Sequence, residues 1–316
     1  MIKMYCTDMN TNQTSEVSTI TRGTWINMVA PTEEEIASVC EQLQIKEDFI
    51  RYPLDYEEKA RIDVEEEDNT TLFIVDVPIL ERTNNTEMYT TMPLGMIVVR
   101  DDYFITVSLA HNRVVEHFEK NKMKNFATFK KTRFILQILY QNASLFLNLL
   151  KQINKETEIA ESTLKNSMKN KELLKLLTLE KSLVYFTTSL RSNELVMEKT
   201  MRGRIIKLYD EDEDILEDAI IENKQAIEMS KIYSDILNGP MDAYASIISN
   251  NLNGVMKFLT AITIVISIPT LIASFWGMNV PVPMQHNPYG FGMILCVSLI
   301  ISIVALHWLN KKGMMR

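Results

Sequence analysis

Two apolar segments near the C-terminus constrain the fold of this chain more than any other feature. Phe258 to Trp276 contains no charged residue, and Phe291 to Asn310 contains none when His307 is neutral. Each approaches the roughly 20 residues an α-helix needs to cross about 30 Å of hydrocarbon at about 1.5 Å per residue. They predict a hairpin of two membrane spans, about 256–276 and 291–310, joined by a loop over 277–290. A buried helix pair in a soluble protein is the competing reading, but such helices normally keep one polar face.

The flanks orient the hairpin. Lys311, Lys312 and Arg316 form a basic tail after the second span, Lys257 sits at the start of the first, and the loop carries no Lys or Arg. Basic residues favour the cytoplasmic side, so both termini are expected there. Trp276 and Tyr289 flank the outer loop and Trp308 lies near the inner end of the second span, where amphipathic rings favour the interfaces. The first residues lack a basic stretch followed by an apolar one, which reads as no signal peptide; with no transit peptide either, a bacterial plasma membrane is expected.

Two spans occupy a small part of 316 residues, so most of the chain is aqueous. A net charge of −8, with basic residues dispersed or beside the membrane, excludes a nucleic-acid surface. Cys6, Cys40 and Cys296 are isolated, without the paired spacing of a zinc or redox site. No phosphate-binding glycine loop, nucleophile elbow or His/Cys cluster is present; His111 and His117 stand alone, so an enzyme is not expected.

Residues 1–124 read as an α/β domain. Thr32 with Glu35 forms a capping box ahead of a helix bearing Ile36, Val39, Cys40 and Leu43 on one face. Thr71 to Val77, Met96 to Val99 and Tyr103 to Val107 read as strands, the last two joined by the turn Arg100-Asp101-Asp102. Residues 125–204 read as two antiparallel helices with a lysine-rich turn around Asn166 to Lys171. A stalk helix over 205–254 then leads into the membrane domain 255–316, with Gly239-Pro240 and Pro269 as candidate kinks.

The first span carries an internal pattern. Asn253, Met256, Thr260, Thr263, Ser267, Thr270, Ser274 and Gly277 recur alternately three and four residues apart, forming one stripe that is small or polar except at Met256. Such a stripe serves helix packing, where small residues let helices approach, or a pore lining facing a water-filled axis. Periodicity alone leaves both open.

The stripe ends in Gly277-Met278-Asn279 and is preceded by Ser249-Asn250, Asn253, Val255-Met256-Lys257 and Leu259-Thr260; Trp25 and Pro31-Thr32 lie far upstream. With the short loop, second span and basic tail, this pattern resembles the CorA family of divalent-cation channels. The resemblance implies a homopentameric funnel in which five first spans line a pore and Mg²⁺, with possible cobalt or nickel, enters down the membrane potential. It implies a selectivity filter at Gly277, Met278 and Asn279, where side-chain oxygens of Asn279 meet a cation that keeps its waters. That agrees with the reluctance of Mg²⁺ to dehydrate. Asn253, Met256, Leu259, Thr260, Thr263, Ser267, Thr270 and Ser274 become pore positions, with Met256 and Leu259 as a hydrophobic constriction able to close by dewetting.

The resemblance further implies gating by intracellular Mg²⁺ bound between cytosolic domains. Asp218 matches the stalk aspartate of that site. The acidic run Asp63, Glu65, Glu66, Glu67, Asp68 supplies its partner from the next subunit, Glu67 and Asp68 being favoured, and Asp242 matches a further acidic position near the inner mouth. Without the resemblance, the run Asp210 to Asp218 reads as a solvated helix face. The outer loop departs from the family in lacking an acidic residue, which weakens cation concentration at the mouth. His286 in that loop suits a softer metal, so a proton-driven zinc transporter of the same superfamily is the alternative. A membrane-anchored sensor or scaffold is a second, but a passive anchor has little use for hydroxyls through the depth of a bilayer.

Overall fold

Alternating side-chain chemistry builds a seven-stranded sheet with helices on both faces. In the computed structural model, β1 (Ile2–Thr7), β2 (Thr14–Glu16) and β3 (Trp25–Val29) precede α1 (Glu33–Leu43), α2 (Asp48–Arg51) and a 3-10 turn (Tyr52–Leu54). Next come β4 (Arg61–Glu65), β5 (Thr70–Thr83), β6 (Thr86–Val99) and β7 (Tyr103–Ser108). The helices α3 (Arg113–Glu119), α4 (Lys131–Ser167), α5 (Asn170–Arg202), α6 (Asp210–Trp276) and α7 (Gly290–Lys311) complete the chain. The structure describes residues 1–314 except 10, 12, 84, 85, 121, 124, 168, 169, 203, 204, 284 and 285, and leaves out the side chains at 83, 86, 165–167, 170, 210, 240–243, 245 and 248. Residues 168 and 169 of the turn expected around Asn166 to Lys171, and Arg316 of the basic tail, lie outside the described residues.

The strand order is β2-β1-β3-β7-β6-β5-β4, with β3 and β7 parallel and the other pairs antiparallel. Successive side chains of a strand point to opposite faces. Ile26 and Met28 therefore join Leu72, Ile74, Ile97 and Ile105 in a core closed by the buried face of α1. The capping box is formed, with Glu35 N donating to Thr32 Oγ1 at 3.2 Å and Thr32 N to Glu35 Oε2 at 2.9 Å. On the other face Trp25 packs edge-on against Phe126 and Phe134, and Phe104 meets Phe134 at 4.5 Å between centroids. The Arg100–Asp102 turn appears as expected, with Arg100 and Asp101 both at positive φ, as the tight hairpin turns that match strand twist require.

Several boundaries differ from the sequence reading; the strand expected over Met96 to Val99 already begins at Thr86. α4 begins at Lys131 rather than near Asn125, because Thr128 and Thr7 exchange backbone-to-hydroxyl bonds of 3.0 and 2.9 Å that tie this segment to β1. The strand expected over Thr71 to Val77 continues to Thr83, carrying Pro78 opposite Thr91.

The long β5–β6 hairpin outruns its neighbour. β4 pairs no further than Arg61 with Ile74, so at Asp76, which is paired with Pro93 of β6 on one side, β5 has no strand on the other. Asn193 of α5 substitutes for one: its Oδ1 accepts from Asp76 N and its Nδ2 donates to Asp76 O, both at 2.8 Å, while Asn142 of α4 donates to the same carbonyl. Burial raises the Asp76 carboxyl above the usual carboxylate range, opposed by a hydrogen bond from Ser189. α4 and α5 run antiparallel, with Phe146 against Phe186 and Lys175 Nζ 3.1 Å from Glu156.

The chain divides into two compact units, Met1–Asn238 and Gly239–Arg316. The division falls at Gly239-Pro240, although the helical assignment of α6 is unbroken there and at Pro269. In the first unit, α6 buries Asp212, Leu216, Ala219, Asn223, Ala226 and Ser230, again three and four apart, and Leu237 a further seven residues on. Polar residues on this stripe bond α6 to α5: Asn223 Nδ2 donates to Leu190 O at 2.9 Å and Ser230 Oγ lies 2.8 Å from Thr187 Oγ1.

Asn193→Leu is expected to strand the Asp76 N–H and destabilise the protein by about 2 kcal/mol, the penalty for an unpaired buried donor. Gly95→Ala is expected to cost about 1–3 kcal/mol, since a Cβ there stands 2.8 Å from Cβ of the buried, ring-constrained Pro53. Thermal unfolding of the detergent-solubilised chain checks both.

Candidate functional site

The membrane-length helices are Ser249–Trp276, the end of α6, and Gly290–Lys311. Within the unit Gly239–Arg316, the buried positions among the described residues are Tyr244, Ala261, Gly290, Ser298, Ser302 and Leu309. None lies on the stripe. Val265, Ile268 and Ile272, which share the face of Ala261, are half-buried. The residues two positions along each, Thr263, Ser267, Thr270 and Ser274, lie about 200° around the helix at about 100° per residue and are exposed. Asn253 and Thr260 are exposed on the same stripe, as are Met256 and the adjoining Leu259 at 55% and 57%. The covered face and the stripe are thus nearly opposite, and the stripe is not consumed by packing within its own chain.

The hydroxyls have a defined polarity. Thr260 Oγ1 donates to Met256 O at 2.7 Å, Thr263 Oγ1 to Leu259 O at 2.8 Å, Ser267 Oγ to Thr263 O at 2.7 Å and Thr270 Oγ1 to Ile266 O at 3.2 Å. A hydroxyl has one proton and two acceptor lone pairs. With the proton spent on the preceding turn, each oxygen presents an acceptor outward, the polarity a passing cation requires.

Gly277, Met278 and Asn279 follow the last helical residue, all exposed. Gly277 N still donates to Ala273 O at 2.8 Å, and a Cβ at 277 stands only 3.2 Å from that oxygen. Beyond the tripeptide, Trp276 Nε1 donates to Pro283 O at 3.1 Å, while Asn287 accepts from Tyr289 N and Gly290 N to start α7. His286 is exposed, and Met284 and Gln285 lie outside the described residues.

The acids expected to bind a regulatory cation are not gathered within one chain. Asp218 is exposed on α6; Glu67 is exposed and Asp68 half-exposed in the turn between β4 and β5. Among the described residues no group of three or more His, Cys, Asp or Glu side chains could hold a metal ion. The side chain of Asp242 lies outside the described residues. Near the turn, Lys46 Nζ meets Glu65 Oε2 at 2.6 Å. That hydrogen bond, aided by the charges of Asp68 and Glu67, holds the Lys46 ammonium above its ordinary range.

The solvated-face reading of Asp210 to Asp218 is wrong at Asp212. That side chain is buried and accepts from Arg133 Nε at 3.0 Å, while Arg133 Nη2 reaches Glu211 at 2.6 Å. This link ties the start of α6 to α4 across 79 residues of sequence, and no local pattern announces it.

Residues 22–312 match the family described as CorA-like Mg2+ transporter protein. The "Cobalt/magnesium transport protein CorA" of Methanocaldococcus jannaschii is 26% identical over 299 residues, covering 92% of this chain and 90% of that protein. The complete structure of the CorA magnesium transporter from the same organism superposes with a TM-score of 0.76 at 23% identity, covering 97% of this chain and 96% of that one. The ZntB cytoplasmic domain from Vibrio parahaemolyticus superposes with a TM-score of 0.56 at 11% identity, covering 79% of this chain and 96% of that one. The chain belongs to the CorA-like Mg²⁺ transporter family, whose members are ion transporters and not enzymes.

Proposed function

We propose that this chain assembles as a homopentamer around the α6 stripe and conducts Mg²⁺ across the plasma membrane, both termini facing the cytoplasm. The observation that carries the reading is the stripe from Asn253 to Ser274, exposed within its own chain, with the hydroxyl protons of Thr260, Thr263, Ser267 and Thr270 turned inward and their oxygens outward. Five such stripes around one axis give a wet, acceptor-rich path, whereas a lone anchor in lipid gains nothing from it. Met256 and Leu259 form the apolar constriction on that path, closing by dewetting.

Gly277, Met278 and Asn279 are the filter at the outer mouth. Mg²⁺ keeps several waters when bound, so a ring of neutral Asn279 amides attracts the hydrated ion without trapping it. Asp218 of one subunit pairs with Glu67 or Asp68 of the next to bind intracellular Mg²⁺, with Asp242 as a further cation position nearer the pore. Like-charged carboxylates brought together repel, and a divalent ion relieves that repulsion. High internal Mg²⁺ therefore clamps the subunits and low Mg²⁺ releases them. Cobalt and nickel share the path. The exposed His286 in an acid-free loop favours a second reading, a proton-driven zinc transporter.

In proteoliposomes, potential-driven Mg²⁺ flux is expected for the native protein and its loss for Asn279→Ala. Zn²⁺ flux that requires a pH gradient moves the protein to the second reading, and absence of flux for every divalent ion favours an anchored sensor. Asp218→Ala is expected to raise the internal Mg²⁺ concentration needed for closure by about tenfold, equal to ~1.4 kcal/mol of lost binding. Unchanged Mg²⁺ sensitivity of current removes Asp218 from the regulatory site.

A further inference from the structure

We infer that Trp276 is a positioning residue for the outer mouth, acting through the hydrogen bond from its indole to the Pro283 carbonyl. The inference rests on the reading of Gly277-Met278-Asn279 as the filter. Trp276 is the last residue of α6, and its Nε1 lies 3.1 Å from Pro283 O, seven residues along the chain. The bond closes a ring of backbone that contains Gly277, Met278 and Asn279.

Three features make this ring a frame. Its helical end is held by Gly277 N to Ala273 O at 2.8 Å, with little room for a side chain at 277. Its far side contains Pro281 and Pro283, whose φ is set by the pyrrolidine ring. Closer to α7, Asn287 accepts from Tyr289 N at 2.9 Å and from Gly290 N at 3.0 Å, a turn that leads into that helix. Pro283, lacking an N–H, donates nothing through its own backbone nitrogen and offers only the carbonyl that the indole takes.

Without the bond, the span from Met278 to Val282 gains freedom, since loop closure is an entropic cost that the bond meets in advance. A ring of five Asn279 amides attracts a hydrated ion in proportion to how well each amide is held in register. Trp276 is also an interfacial aromatic, but that role uses the ring's amphipathic body and does not need this acceptor.

Trp276→Phe keeps an apolar ring at the interface and removes the donor. In proteoliposomes of assembled full-length protein, it is expected to raise KM for Mg²⁺ roughly fivefold, the worth of one hydrogen bond, and to reduce the preference for Mg²⁺ over Ca²⁺. Pro283→Gly leaves every span side chain in place, loosens the acceptor, and is expected to change KM in the same direction should Trp276→Phe assemble poorly. Wild-type KM and selectivity in Trp276→Phe overturn the inference. So does a fall confined to maximal flux, which marks damaged assembly, not a displaced mouth. Failure of the filter reading is told apart by Asn279→Ala, which then retains native Mg²⁺ flux.

Discussion

Hydroxyls in a membrane helix have to dispose of their protons, and the rest of the candidate site depends on how this chain does so. In hydrocarbon no water is available to accept an O–H, and an unsatisfied polar group costs several kcal/mol in round terms. Thr260, Thr263, Ser267 and Thr270 each donate to the carbonyl one turn back. The solution is local, so the helix is acceptable before any subunit meets another. It also sorts charge: protons lie against the helix and lone pairs face away. A surface of acceptors repels anions and suits a cation that arrives with its hydration shell, whose water hydrogens point outward.

α6 uses one periodicity for two purposes. From Asp212 to Ser230 the 3-4 spacing is buried, and Asn223 and Ser230 bond the helix to α5. From Asn253 to Ser274 the same spacing is exposed, and the covered face passes instead through Ala261. Spacing reveals that a helix has a distinct face, not what that face meets. The sequence accordingly left packing and pore lining open; the covered residues show only that the stripe is not used for packing within its own chain. Gly239-Pro240 lies between the two regimes, at the division between the compact units. The missing proline N–H has not broken the helix there.

The parts of the fold legible in sequence were those governed by local chemistry. Two charge-free segments of membrane length, the Thr32–Glu35 box and the Arg100–Asp102 turn each declare themselves within a few residues. β1, β2, β3 and β4 did not, because each is three to six residues long and earns its place by pairing across the sheet. Pro78 hid the second half of β5, since proline in a strand argues against a central ladder; here the neighbouring strand has already ended and α5 supplies Asn193 in its stead. Arg133 with Asp212 was illegible for a related reason: an ion pair across 79 residues has no sequence signature. Gly277-Met278-Asn279, the proposed filter, was legible only through resemblance, whereas the indole bond from Trp276 to Pro283 requires coordinates.

The absence of acids from the outer loop changes how cations are drawn to the mouth. A carboxylate attracts from about a Debye length, near 8 Å at physiological salt, and without it the loop acts only at close range through dipoles. Its composition favours one sign. Pro281, Pro283 and Pro288 remove three backbone donors and no acceptor, so the loop carries more carbonyl oxygens than N–H groups to meet them. One surplus oxygen, that of Pro283, is taken by Trp276. The others and the Asn279 amide give a weak, neutral attraction that falls off steeply with distance. On the proposed reading, such a mouth would select by contact with the hydration shell more than by long-range capture, and its selectivity would depend on the rigidity of the loop that presents it.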